Sequence, residues 1–175
     1  MAKFLSRQSG VEWIDLDRVA WESYAVGTPT YDRVVARFGE TILAASGEID
    51  RRLLARIVFS EAAARRDLER IVHPAVSRRL TERIRVEQER GTCVLLVEGA
   101  LLTVSPYVDR SAFDAIVWLD TSDDTRRDRL RSRGRSSHVD RLGGGDPEAG
   151  NLRVDAEGTV ADVAERVWNV IEQVS

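Results

Sequence analysis

Two aspartates, Asp15 and Asp17, close the short apolar run Trp13-Ile14 and Leu16. In an open α/β sheet the carboxyl ends of the strands border the ligand crevice. A carboxylate placed there can orient a hydroxyl, accept its proton or hold a metal-bound water. The same Asp-x-Asp spacing also serves as an ordinary turn opening, because Asp readily starts turns. A second chemical feature is the arginine row Arg126, Arg127, Arg129, Arg131, Arg133 and Arg135. At helical spacing Arg126, Arg129 and Arg133 share one face, and Arg127, Arg131 and Arg135 another. The planar guanidinium fork matches phosphate oxygens, so a row leading into a loop could clamp a polyphosphate. The competing reading is a solvated helix face with basic residues favourably placed toward the helix end.

Lys3 is the one lysine among 26 basic residues, so chemistry that needs an ammonium group must use it. His73 precedes Pro74 and reads either as a packing residue at a helix end or as a substrate contact; His138 reads as surface. Two separated histidines and a single cysteine make no metal constellation. Cys93, at the start of an apolar run, reads as a small core residue rather than a nucleophile. The run Gly143-Gly144-Gly145 joins neither an apolar strand to a helix nor a Lys-Ser/Thr pair, so it reads as a linker.

The elements that must position these groups alternate between strand and helix. Residues 2–9 read as the last turns of a helix closed by Gly10. A strand runs to Asp17, then a helix from about Arg18 to Tyr24. Tyr31 to Phe38 is amphipathic through Val34, Val35 and Phe38. Another helix opens at Ile49-Asp50, with Leu53, Leu54, Ile57 and Val58 as its apolar stripe. Ser60 reads as the N-cap of a helix over 61–72, with Pro74 as a break before a helix over 75–90. Val94-Leu95-Leu96-Val97 and Ala115-Ile116-Val117-Trp118-Leu119 have the wholly apolar pattern of strands buried on both faces. Ser122 caps a helix that ends at Gly134, residues 134–151 form a short polar lid, Leu152 to Asp155 is a strand, and Thr159 caps a final helix. This alternation predicts a parallel α/β sheet with covered faces.

At 175 residues the chain fits one domain, with helical segments inserted over about 25–75. A net charge of -3 argues against a nucleic-acid partner, which calls for a basic excess. No apolar run approaches the roughly 18 residues that cross a bilayer, which argues against a membrane partner. One cysteine excludes an internal disulfide and favours a cytoplasmic setting.

From Trp13 to Pro74 the sequence resembles the dephospho-CoA kinases, a family of P-loop kinases. The matching pieces are Ile14-Asp15-Leu16-Asp17 with Ala20, Gly27-Thr28-Pro29-Thr30-Tyr31, Phe38-Gly39-Glu40, Gly47-Glu48-Ile49-Asp50-Arg51, Ile57-Val58-Phe59 and Ile71-Val72-His73-Pro74. Phe113-Asp114-Ala115-Ile116-Val117, Arg129 with Arg133, and Val154-Asp155-Ala156-Glu157-Gly158-Thr159 continue the resemblance. It implies a three-layer parallel-sheet kinase fold that transfers the γ-phosphoryl group of ATP, with Mg²⁺, to the ribose 3′-hydroxyl of dephospho-CoA. It also implies that Asp17 and Arg133 are catalytic, the first facing the hydroxyl and the second meeting phosphate charge from the lid side. Asp15, His73 and Arg129 would contact substrate.

No G-x-x-x-x-G-K-[ST] segment occurs in the 175 residues. In the family that loop and its strand precede the residues matching Ala2-Lys3-Phe4-Leu5, and the strand lies between the two wholly apolar ones. The expectation is therefore an N-terminally truncated domain, inactive by itself, whose start lies upstream. Two alternatives stand beside it. One is a non-catalytic relative that keeps a nucleotide- or CoA-binding surface. The other is a related P-loop kinase with a nucleoside-like acceptor, suggested because Glu98-Gly99 with Leu101-Leu102 is similar to a uridine-kinase segment.

Overall fold

The structure is a computed structural model and describes residues 1–132 and 150–174. Its described strands form two pairs, β1 (Val11–Asp15) with β2 (Val94–Glu98) and β3 (Val117–Asp120) with β4 (Leu152–Asp155). The β3–β4 pair is parallel, in the register Val117 to Leu152 and Asp120 to Asp155. The chain divides into two compact units, Ile14–Gly99 and Met1–Trp13 with Ala100–Ser175.

The first of these units is mainly helical: α2 (Leu16–Ser23), α3 (Pro29–Phe38), α4 (Arg51–Ser60) and α5 (Ala62–Glu89), followed by β2. The caps are local side chains. Thr28 accepts the N–H of Tyr31 at 3.1 Å to open α3, and Asp50 accepts those of Arg52 and Leu53 at 2.8 and 3.3 Å to open α4. Gly39 ends α3 at φ 78°, in the left-handed region that favours glycine.

The helix boundaries around Ser60 and Pro74 differ from the sequence reading. Helix α4 runs through Ser60, whose hydroxyl donates to its own helix at Ile57 O (3.0 Å), and Glu61 is the extended joint before α5. Pro74 does not break the next helix: α5 continues from Ala62 to Glu89 with Pro74 inside it. An interior proline costs about 3 kcal/mol through its missing N–H and its ring. Burial on both sides offsets that cost: Ala64 and Val72 before it, and Ala75, Val76 and Leu80 after it, form the face on which α2, α3 and α4 pack.

The other unit holds α1 (Ala2–Leu5), α6 (Leu101–Val104), β3, α7 (Asp123–Ser132), β4 and α8 (Val160–Val174). Helix α8 lies on β4 through buried Val163, Ala164 and Val167, and α1 meets α8 with Ala2 and Leu5 buried. Neither apolar strand is buried on both faces as its composition suggests. Strand β2 is half-buried throughout, and β3 ends exposed at Leu119 and Asp120. A two-stranded sheet has too few neighbours to cover both faces. Cys93, just before β2, is exposed and so is not a core residue. No helix among the described residues is long and apolar enough to cross a membrane.

Candidate active site

Strand β1 ends at Asp15, not at Asp17. The Asp15 carboxylate turns back on the chain and accepts the backbone N–H groups of Asp17 (2.9 Å) and Arg18 (3.2 Å), so α2 begins at Leu16. This is N-cap chemistry: a short acceptor side chain satisfies N–H groups that the first helical turn leaves open. Asp17 therefore stands in the first turn of α2, exposed, where the helix dipole favours a carboxylate.

Leu16, between the two aspartates, is fully buried. Gly99 sits against it at φ 153°, and a Cβ on Gly99 would lie 2.7 Å from the Leu16 Cβ. The exit of β2 thus approaches the start of α2 so closely that only glycine fits. Along α2, Val19 and Ser23 are buried as well. Glu22 accepts from Arg18 at 2.9 Å and from Arg83 of α5 at 2.6 Å. Asp17 is in consequence presented by a helix fixed at its first turn and along its inner face.

His73 occupies the middle of α5, one residue before Pro74, rather than a helix end. It is half-buried, and burial lowers its pKa below the usual imidazole value against the opposing pull of Glu69. Burial thus favours its neutral form.

Arg129 belongs to the other unit. Its Nη2 donates to the carbonyls of Ala156 (2.8 Å) and Gly158 (2.9 Å), while Nη1 of Arg166 donates to those of Asp155 (2.8 Å) and Glu157 (2.7 Å). Two guanidinium groups thus grip four successive carbonyls of the loop after β4. The Glu157 carboxylate accepts from Thr121 Oγ1 (2.8 Å), the Ser122 N–H (2.6 Å) and Thr125 Oγ1 (2.7 Å). These bonds, that from Thr125 foremost, hold its carboxyl far below the usual range, at about 2. Sequence reasoning misses this cluster; its only local sign is Glu157-Gly158-Thr159 after the short strand β4.

The rest of the arginine row divides. Arg126, Arg127 and Arg131 each pair with the aspartate three residues earlier, Asp123, Asp124 and Asp128, which is the solvated-face reading. Arg133, Arg135 and the 134–151 lid, with Gly134 and the glycine run, lie outside the described residues or at their edge. Among the described residues no three of His, Cys, Asp and Glu gather as metal ligands.

The profile of the dephospho-CoA kinase family matches residues 1–142. A dephospho-CoA kinase from Geobacter sulfurreducens is 32% identical over 176 aligned residues, which cover 97% of this chain and 89% of that protein. One from Symbiobacterium thermophilum is 30% identical over 167 residues, 95% of this chain and 65% of that protein. The chain thus spans just under two thirds of the Symbiobacterium relative and most of the Geobacter one. A crystal structure from Thermus thermophilus superposes with a TM-score of 0.73 at 23% identity, over 98% of this chain and 88% of that one. That likeness bears out the α/β fold. With the family profile matched across most of its length, and with 32% identity over 89% of the Geobacter relative, this chain belongs to the dephospho-CoA kinase family.

Proposed function

We propose that Asp17, with Asp15 and His73, forms the acceptor side of a phosphoryl transfer in which the γ-phosphoryl group of ATP passes to the ribose 3′-hydroxyl of dephospho-CoA. The observation that carries this reading is Asp17: an exposed carboxylate on the first turn of a helix that Asp15, Leu16 and Gly99 hold in place. A carboxylate so presented orients the hydroxyl and accepts its proton as the oxygen attacks phosphorus. Asp15 acts beneath it as the cap that sets its position.

Arg129 and Arg133 are assigned to the phosphate charge. Among the described residues the Nε and Nη1 of Arg129 have no hydrogen-bond partner, so it can hold the loop after β4 and still offer donors. His73, half-buried and favoured in its neutral form by that burial, is assigned to the acceptor as a hydrogen-bonding group. ATP is assigned as the donor, in keeping with membership of a kinase family. Mg²⁺ would come with its phosphates, because the described residues gather no ligand set of their own for it, and no step here is routed through it.

The test is calorimetric titration with dephospho-CoA and, in parallel, with coenzyme A. The product carries a further phosphate on the very oxygen that Asp17 faces, so like-charge repulsion should make it the weaker ligand. Absence of dephospho-CoA binding overturns the reading. In a polypeptide that carries these residues together with a glycine-rich Gly-Lys-Ser/Thr loop, Asp17→Asn should lower label transfer from γ-labelled ATP by roughly a hundredfold or more. A near-normal rate would remove Asp17 from its role, and acceptor binding without transfer in the parent would favour a non-catalytic binding module.

A further inference from the structure

Helix α2 carries a second feature one turn beyond Asp17. Trp21 is 41% exposed, a large aromatic ring left in solvent. The guanidinium carbon of Arg51, the first residue of α4, lies 3.9 Å from its ring centroid. A guanidinium over an indole face is a favourable cation–π arrangement. It holds Arg51 in place without neutralising it.

Several arginines of the same unit are held by carboxylates instead of by a ring. Arg37, Arg65, Arg70, Arg83 and Arg85 all sit in ion pairs with carboxylates. Arg51 is exposed, and its guanidinium has no carboxylate or carbonyl partner among the described residues. Its charge also reaches the hydroxyl of half-buried Tyr24, at the end of α2, and opposes the rise that burial imposes on that phenol's pKa.

The placement relative to Asp17 follows from helix geometry. Residues four apart lie on the same face, one above the other, separated by about 6 Å along the axis. That is the scale of a single nucleoside. One face of α2 and the residue stacked on it thus present, in order, a carboxylate suited to a sugar hydroxyl, an aromatic plate and a fixed, unpaired cation. In a nucleotide one ribose carries both the 3′-hydroxyl and the 5′-phosphate, so a single sugar can meet the carboxylate and the cation of this face.

We propose that Arg51, clamped by Trp21, receives the diphosphate of the acceptor and so sets the register in which the ribose hydroxyl meets Asp17. The proposal rests on the acceptor reading above and adds to it a positioning residue. Prior fixation by the ring means that little freedom is lost when the phosphate arrives, and a guanidinium matches two phosphate oxygens at once.

The test is titration of dephospho-CoA into the wild type, Arg51→Gln, Trp21→Phe and Trp21→Ala at several salt concentrations. Arg51→Gln should bind roughly tenfold to a hundredfold more weakly, the loss of hydrogen bonds to a charged group. It should also flatten the fall of affinity with salt, which a merely structural residue would leave unchanged. Trp21→Phe keeps most of the affinity, whereas Trp21→Ala follows Arg51→Gln. Should Trp21→Ala fail to fold, Arg51→Gln at an exposed position decides alone. Unchanged affinity or an unchanged salt slope in Arg51→Gln, with tight wild-type binding, overturns this proposal and leaves the acceptor reading standing. No binding by the wild type overturns both.

Discussion

Gly99→Ala probes the contact that fixes Asp17. Gly99 has φ 153°, and an added Cβ would lie 2.7 Å from the Leu16 Cβ and 3.5 Å from its Cγ. Leu16 is fully buried and leads a helix whose N-cap is already engaged, so it has little room to yield. Overpacking of this kind costs about 1–3 kcal/mol, and holding a non-glycine residue in a sparsely populated backbone region costs about 1–3 kcal/mol more. The expected total is about 2–6 kcal/mol, a large part of the 5–15 kcal/mol that stabilises an ordinary domain.

Gly91 supplies the control, because it lies in the same unit at φ 72° with nothing within 4 Å of its would-be Cβ. Gly91→Ala should therefore cost only the backbone strain, about 1–2 kcal/mol. Urea denaturation followed by far-ultraviolet circular dichroism gives both values, and the difference isolates the contact with Leu16. Dephospho-CoA binding, read on the folded fraction, should fall in Gly99→Ala and stay level in Gly91→Ala. If Gly99→Ala costs no more than Gly91→Ala, Leu16 is not pinned and the argument for a fixed Asp17 fails.

Two further predictions concern the frame around the site. The Glu157 carboxyl is lowered from 4.5 to about 2 in the folded protein, so its contribution to stability is complete above pH 4.5 and disappears as pH falls from 4.5 toward 2. Denaturation midpoints measured across that window should fall more steeply for the wild type than for Glu157→Gln; parallel curves would show that the Thr121, Ser122 and Thr125 bonds do not matter to folding. Pro74→Ala should stabilise α5 by up to about 3 kcal/mol, because alanine restores an interior N–H. A loss of stability would instead show that the packing of α2, α3 and α4 requires the helix as proline shapes it.

Much of the frame could be read from local chemistry. Thr28, Asp50, Ser122 and Thr159 cap helices as their types suggest, and Gly39 ends one. These signals act within three or four residues, which is the distance over which a sequence speaks plainly. Asp15 was harder, because either aspartate of the pair could have closed the strand; the hydrogen bonds to Asp17 and Arg18 decide for the first. Pro74 misleads because its helix-breaking cost is local, whereas the burial that overrides it comes from three other helices. Arg129 and Arg166 reach across 27 and 11 residues to a loop whose bare carbonyls carry no side-chain signature. The Trp21–Arg51 stack is hidden for the same reason, as it joins two helices separated by a third.

The central claim, that Asp17 faces the acceptor's 3′-hydroxyl, is tested most directly by comparing dephospho-CoA with its 3′-deoxy analogue in calorimetric titration. The account predicts that the wild type prefers dephospho-CoA by roughly tenfold or more, the value of a hydrogen bond to a charged group, and that Asp17→Ala binds the two alike. Equal affinities in the wild type would contradict it.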